Sequence, residues 1–544
     1  MTISQFPIPA GGIPTGNTAG RPASPSIGDV YYNGQTGVLE IFDGTNFVPC
    51  SAPAAVPTIA VADVGTGVVF GSAQGALTIT AGTGGGVVES FIVSASTGGY
   101  SATTTGTTVT ITVGNSGSYT FSAKAINNFG ESGPSANVTQ TLTTVPQAPT
   151  IGTATTAALT TNVTVTWTLG SNGGKNLSAI TVTPYLNGTT AQTPTTAATT
   201  SSTSATIVGL TQGSAYTFKV KTTNANGTGL ESSATNSVTT PIFMSVDYLV
   251  VAGGGSGGGH NGAGGGAGGL RSTVTATGGG GSLESAISLE KSTNYNITIG
   301  GGGTSAANTI GNSGNNSTFA TITATGGGGG GTGSGSGGST GKDGGSGGGG
   351  GAGAGSGGAR TSPPIQGFNG GSCVSGASNG GAGGGGAAAT ATNMNSNVGT
   401  AGGAGAQVNI DTSNLYYAGG GGGSGYNNNA GNGGIGGGGG GGNANEGGSA
   451  GTGGGSAINS GGNGTQSGSD QGGAGGTNTG GGGGGTNRAP NSGGAGGSGV
   501  VTLRWLTTDG SITVGAGLTA GSTGTDGSYS YKRFTAGSGN VSFA

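Results

Sequence analysis

Charge is what this sequence has least of. Asp, Glu, Lys and Arg make up 5% of its 544 residues, against about a quarter in ordinary soluble domains. The formal net charge is −3, so there is no electrostatic footprint for nucleic acid or for an anionic membrane surface. No apolar run approaches the roughly 18 residues of a membrane-spanning helix, and no membrane insertion is expected. Residues 1–7 lack a basic segment followed by an apolar core, so no secretory signal is expected either. Cys50 and Cys373 are the two cysteines. Lone thiols so far apart read as buried or free rather than as a disulfide framework.

Catalytic chemistry is equally thin. His260 is the one histidine, so any Ser–His–Asp or Cys–His relay would have to use it. Its sequence neighbours are Gly257-Gly258-Gly259 and Asn261, with no charge beside it. A zinc site would need His260 together with distant cysteines and carboxylates. Matches to Gly-x-Gly-x-x-Gly abound by chance, and none joins an apolar strand to a helix. Gly341-Lys342 is followed by Asp343, which is not a P-loop. A polysaccharide depolymerase needs paired carboxylates in a cleft. The glycine-rich half offers only Glu284, Glu290, Asp343, Asp411, Glu446 and Asp470, widely scattered, although folding could bring two of them together. No catalytic, cofactor-binding or metal-binding residue is assigned, and no cofactor is expected.

What the sequence does have is glycine: 139 residues, most of them between Gly253 and Gly499. They fall in discrete runs, among them Gly278–Gly281, Gly326–Gly331, Gly419–Gly423, Gly436–Gly442 and Gly480–Gly485. Such tracts have two physical readings. One is disorder, because glycine loses the most backbone entropy on folding and buries no side chain. The other is a bundle of polyglycine II helices, extended rods with about three residues per turn and about 3.1 Å rise. Such rods can pack laterally and bond to one another through backbone N–H and C=O. The discrete runs, the near absence of charge and the apolar segments at both ends favour the bundle. Collagen is excluded, because glycine does not recur at every third position.

In chain order, residues 1–50 read as an extended arm followed by β-hairpins. Val30-Tyr31-Tyr32 precedes Asn33-Gly34, and Val38–Phe42 precedes Asp43-Gly44; both dipeptides are strong hairpin signals. Residues 51–145 and 146–242 form an internal repeat of Thr/Val-rich alternating strands, each reading as a β-sandwich. Tyr119, Phe121 and Ala123 share a face in the first copy; Tyr216, Phe218 and Val220 do so in the second. Residues 243–508 are the glycine-rich domain. There, the segments 273–277, 295–299 and 321–325 read as strands of a small apolar base from which rods extend. Residues 509–544 read as a C-terminal hairpin, with a turn at Ala536–Gly539. The fold class expected is all-β plus polyglycine II.

These residues carry resemblances. Val163–Trp167, with Leu210 and Tyr216, resembles a fibronectin type III domain; the first repeat departs from it, with Leu77-Thr78-Ile79 where the core Trp would stand. Gly28–Asn33 with Ile41–Gly44 is similar to a hairpin module of tailed-phage fibre and structural proteins. Ser245–Gly255 and Gly497–Trp505 resemble the glycine-rich domain of marine and cyanobacterial phage virion proteins. In principle the region is also similar to the polyglycine tip adhesins of T-even-type long tail fibres and to the glycine-rich region of anaplastic-lymphoma-kinase-type receptors. The resemblance implies a non-enzymatic virion protein, assembled in the host cytoplasm and exposed after release. A tail fibre or adhesin is expected, and a capsid-decorating or head-fibre protein is the alternative. The expected partners are other virion proteins through the N-terminal region and a host surface glycan or outer-membrane protein, with oligomerisation on the particle. Phe368, Tyr416, Tyr417 and Tyr426 are the candidate receptor contacts, Tyr426 with the amides of Asn427-Asn428-Asn429. Tyrosine offers a rigid apolar face with a polar end. The same rings could instead fill seams between rods.

Overall fold

The computed structural model describes residues 15–16, 18–35, 38–42, 44–49, 53–305, 307–334, 337–374, 379–445, 447–455, 458–466 and 468–544. Cys50 and Glu446 lie outside them, as do residues 1–14 of the N-terminal arm. The fold is all-β and divides into two compact units, Met1–Pro241 and Ile242–Ala544. Among the described residues, no helix is long and apolar enough to cross a membrane.

The first unit opens with a four-stranded sheet. Val30–Asn33 pairs antiparallel with Val38–Phe42, which pairs with Phe47–Pro49. Thr15–Gly16 adds in parallel to Tyr32-Asn33, so this part of the arm is ordered on the hairpins rather than free of them. The reason is visible at Glu40, which is 3% exposed and bound by Arg21 at 2.6 Å and by Asn33 Nδ2 at 3.0 Å. A buried carboxylate needs such partners, and Arg21 brings the arm with it.

Two β-sandwiches follow. The first packs the sheet of Thr58–Asp63, Gln74–Thr80 and Thr108–Thr112 on that of Ser90–Ala95, Ser101–Thr104, Gly117–Asn127 and Val138–Leu142. Leu77 and Ile79 fill the core beside Phe91, Phe121 and Leu142. The second packs Thr150–Thr156, Val163–Thr168 and Ser204–Ile207 on Leu177–Leu186 and Ala215–Asn224. Trp167, Tyr216 and Phe218 form its core. The Tyr216 hydroxyl accepts a hydrogen bond from the Thr211 N–H at 3.2 Å, the tyrosine corner of such sandwiches. A buried polar joint connects the two. Asn224 Nδ2 donates to the carbonyls of Thr144 (2.9 Å) and Asn172 (2.8 Å), and Asn226 Nδ2 donates to Thr143 Oγ1 at 2.7 Å. The Asn-Ala-Asn-Gly turn of the second sandwich thereby satisfies backbone groups of the connecting segment.

The second unit is built on a β base. The strand Phe243–Val251 pairs antiparallel with Val500–Leu506, from Val246↔Trp505 to Val251↔Val500. Residues 509–544 add to this base instead of forming a separate hairpin. Tyr529–Phe543 is one continuous strand, pairing through its first half with Val500–Leu506 and through its second with Tyr295–Thr298. It thus joins two sheets around a core containing Tyr248, Phe319, Trp505, Phe534 and Phe543. The expected turn at 536–539 is absent because its glycines serve another need. A Cβ at Gly537 or Gly539 would strike the carbonyl oxygens of Gly517 or Ala516, so the glycines permit close backbone approach within a strand. The expected strand at 273–277 is also not formed. Ser272 Oγ accepts from Val274 N at 3.0 Å and Thr275 turns to φ 62°, a side-chain-capped turn that competes with strand pairing. Residues 295–298 and 322–324 are strands. Because side chains alternate along a strand, the end of this strand, residues 248–251, is buried on both faces: Leu249 and Val251 enter a second core with Leu270, Val408, Ile410, Tyr417 and Val500.

From this base the chain runs out and back as glycine rods. Their hydrogen bonds repeat every third residue. Gly253, Ser256 and Gly259 donate to the carbonyls of Asn315, Asn312 and Thr309; Gly254 and Gly257 donate to Gly497 and Gly494; Gly255 and Gly258 donate to Gly266 and Ala263. One rod therefore bonds to three neighbours in turn, as three residues per turn requires. The falling partner numbers make these contacts antiparallel. The returning rod repeats the pattern, with Gly262, Gly265 and Gly268 bonded to Thr486, Gly483 and Gly480, and Ala263, Gly266 and Gly269 bonded to Gly331, Gly328 and Thr325. Parallel neighbours also occur: Gly419, Gly422 and Gly425 donate to Gly436, Gly439 and Gly442. These distances are 2.7–3.1 Å, so the backbone groups that a lone polyglycine II helix leaves to water are satisfied inside the bundle.

Candidate functional site

The rods turn at an end remote from the base, and the turn residues there are mostly amides and hydroxyls. Gly259-His260-Asn261-Gly262 reverses the first rod with both central residues left-handed, φ 47° and 49°, the conformation of a type I′ turn. His260 is half-buried, and its carbonyl accepts from Gly333 N at 2.9 Å. Beside it Asn487 Nδ2 donates to Asn379 O, and the Asn487 carbonyl receives Asn261 N at 2.7 Å. One strip of this end joins three successive turns. Gly425 bridges to Asn443, and Asn443 bridges in parallel to Gln466. Asn443 is fully buried and donates to Asn428 O at 2.7 Å; Ser449 N donates to Asn429 Oδ1 at 2.9 Å. Asn445 and Asn427 share a side-chain hydrogen bond, and Gln466 Nε2 donates to Gly448 O. The half-buried Tyr426 thus opens a turn with the exposed Asn427, Asn428 and Asn429, and the exposed Gln466 lies two bridges along the same strip. Ring edge, amide donors and amide acceptors lie on one surface, with the loops fixed by rods behind them. The glycine runs hid this neighbourhood, because nothing in sequence brings residues 426, 445 and 466 together; the Tyr-Asn-Asn-Asn segment was its only visible part.

The four candidate rings do not form one site. Residues 418–425 separate Tyr417 from Tyr426, which at about 3.1 Å per residue is roughly 25 Å. Tyr416 and Tyr417 lie in the hairpin Ala406–Val408 with Leu415–Tyr417 at the base. Tyr417 is 0% exposed, inside the second core, and burial pushes its hydroxyl up to about 12. A ring so enclosed cannot reach a receptor, so Tyr417 takes the packing role. Tyr416, its neighbour, is half-buried. Phe368 is also near the base: Phe368 N donates to Gly386 O at 3.0 Å, one residue before Ala387, which bonds to Ala418. It lines a pocket of about 260 Å³ with Arg360, Asn369 and Thr390.

Of the scattered carboxylates, Glu284, Asp343, Asp411 and Asp470 are held in structural contacts. Glu284 binds Arg271 and the Tyr248 hydroxyl, and burial raises that hydroxyl's pKa. Asp411 pairs with Arg533, Asp247 pairs with Arg504 at 2.8 Å, and Asp343 accepts from Ala359 N at 2.7 Å. Asp470, fully buried, accepts from Arg488 N at 2.7 Å and from Asn491 Nδ2, closing the loop that follows Thr486. Among the described residues there is no group of three or more His, Cys, Asp and Glu side chains able to hold a metal ion. Cys373 is a buried free thiol packed on Ala382 and Met394. Burial pushes it up to about 11, and its Sγ lies 3.1 Å from Gly350 O.

Comparison with known families finds a fibronectin type III domain over residues 147–238 and a glycine-rich domain over residues 231–469. The structural unit that holds the rods begins at Ile242 and runs on to Ala544, past the matched segment, because the lead-out and terminal strands belong to its base. No curated protein matches the chain. Among solved structures, a crystal structure of consecutive titin domains is 16% identical, with 38% of this chain and 76% of that one covered, at a TM-score of 0.21. The FN1–FN3 domains of chicken CNTN1 are 14% identical, with 36% and 80% covered, also at 0.21. A fibronectin type III domain joined to a glycine-rich domain marks an all-β protein of the adhesion or structural class.

Proposed function

We propose that this chain is a non-enzymatic surface-attachment protein of a phage virion, a tail fibre or adhesin whose glycine-rich unit engages the host surface through its distal loops. The observation that carries this reading is the strip of Tyr426, Asn427, Asn428, Asn429 and Gln466, set on rods whose every third amide is bonded to the same neighbour. Loops held this way lose little conformational entropy on contact. Amides supply both donors and acceptors for sugar hydroxyls, and a tyrosine ring supplies an apolar face. The N-terminal sheet, with its arm pinned by Arg21 and Glu40, is the attachment end in this reading, and the sandwiches are spacers.

The test is adsorption of particles carrying Tyr426→Ala with Asn427→Ala. Loss of a contact centre weakens binding by about 2 kcal/mol or more, so adsorption should fall by more than tenfold while particles still assemble. Unchanged adsorption by a folded variant would remove the distal strip from host contact. Antibody label on the head instead of the tail would make the chain a decoration protein.

A further inference from the structure

We propose that the pocket of Arg360, Phe368, Asn369 and Thr390 binds a carboxylate-bearing sugar residue of a surface polysaccharide. It lies toward the base of the bundle, apart from the distal loops. Arg271, Arg504 and Arg533 are each paired with a carboxylate. Arg360 and Arg488 have no ion pair among the described residues; Arg488 lies in the distal loop that its backbone N–H to Asp470 closes, whereas the Arg360 guanidinium lies over the Phe368 ring, 5.7 Å from the centroid. A guanidinium held over an aromatic face by its charge keeps N–H groups to offer an acceptor. A carboxylate fits the guanidinium fork in bidentate fashion.

The remaining walls are polar and fixed. Asn369 Oδ1 accepts from Arg360 N at 2.9 Å, and Thr390 Oγ1 donates to Asn369 O at 3.1 Å. The backbone beneath is locked by Gly347 N to Phe368 O and Phe368 N to Gly386 O, both 3.0 Å. With its Oδ1 engaged, Asn369 has an amide NH₂ to offer, and the Thr390 hydroxyl oxygen can still accept, which suits sugar hydroxyls beside the carboxylate. The volume of about 260 Å³ falls below the roughly 300–1,000 Å³ of clefts that enclose drug-sized ligands. It suits one residue of a longer chain running across the surface.

The experiment measures binding of the full chain to oligogalacturonate and to a neutral glucan oligomer of equal length. Oligogalacturonate should bind and slow hydrogen exchange in residues 360–369, and the neutral oligomer should not. Arg360→Gln should weaken binding by about tenfold to a hundredfold, the worth of hydrogen bonds to a charged group. Arg360→Lys should fall between, while Arg488→Gln at the distal end should leave binding unchanged. Tyr426→Ala with Asn427→Ala should not alter it either, so this site and the distal strip fail or stand separately. Equal binding of neutral and acidic oligomers, no binding of the acidic one, or full affinity in Arg360→Gln would each overturn the proposal. The ligand-induced protection in the unmodified chain tests the site even where a variant folds poorly.

Discussion

Gly257→Ala should strongly destabilise the glycine-rich unit, whereas Gly301→Ala should leave it intact. Gly257 donates to Gly494 O at 2.9 Å, and a Cβ there would fall inside the carbonyl oxygen of Gly484, on a rod that cannot give way without breaking its own ladder. The obstacle is backbone on a packed neighbour, so no rotamer change relieves it. Point changes of this kind lie in the tail above about 4 kcal/mol, a large part of the roughly 5–15 kcal/mol that holds a domain folded. For a unit this size each kcal/mol is worth about 2–4 °C, so the melting midpoint should drop by at least about 8 °C. Gly301 provides the contrast, since the nearest atom to its added Cβ is Asn315 Nδ2 at 3.7 Å. That change should stay within about 0.5 kcal/mol. Equal effects at the two positions would mean that the rods are not packed against one another.

The second large effect is expected at Trp505. Its ring is 1% exposed, stands edge-on to Phe543 at 5.3 Å, and donates from Nε1 to Gly510 O at 2.9 Å. Rods of glycine bury almost no apolar side chain, so the base supplies the hydrophobic stabilisation for the whole unit. An aromatic side chain buries about 150–250 Å², worth roughly 4–6 kcal/mol at about 25 cal/mol per Å². Trp505→Ala should therefore cost about 3–5 kcal/mol, read as a lower denaturant midpoint. It should also speed exchange in the rods, which leave from the strand paired to it. A normal midpoint in this variant would show that the rods stand without the base.

Much of this organisation was legible because it was written in side chains. Trp167, Tyr216 and the alternating Thr/Val strands specify a sandwich, and Val500–Trp505 reads as a strand wherever it is placed. The rods were legible as rods, from run length and absence of charge. Their neighbours were not, because a residue without a side chain carries no preference for the rod beside it; loop length and hydrogen-bond register decide that. Glycine also misled where it served close approach, at Gly537 and Gly539 inside the terminal strand. The paired tyrosines were ambiguous for a different reason. In the hairpin of Leu415–Tyr417 adjacent side chains face opposite ways, so burying one ring was predictable, but choosing Tyr417 depended on a core whose other walls come from Leu249 and Val500. Of the candidate site, Tyr426 and its amides were readable; Asn445 and Gln466 were not, since only the folded rods bring them together.

Everything rests on bare backbone forming a cross-bonded solid. Residue-resolved hydrogen exchange on the intact chain tests this most directly, by comparing the amides of 253–259 and 262–269 with those of the strand Phe243–Val251. The threefold pattern of N–H donation predicts that the glycine amides exchange as slowly as the strand. Exchange at the rate of an unstructured chain through both glycine segments would contradict it.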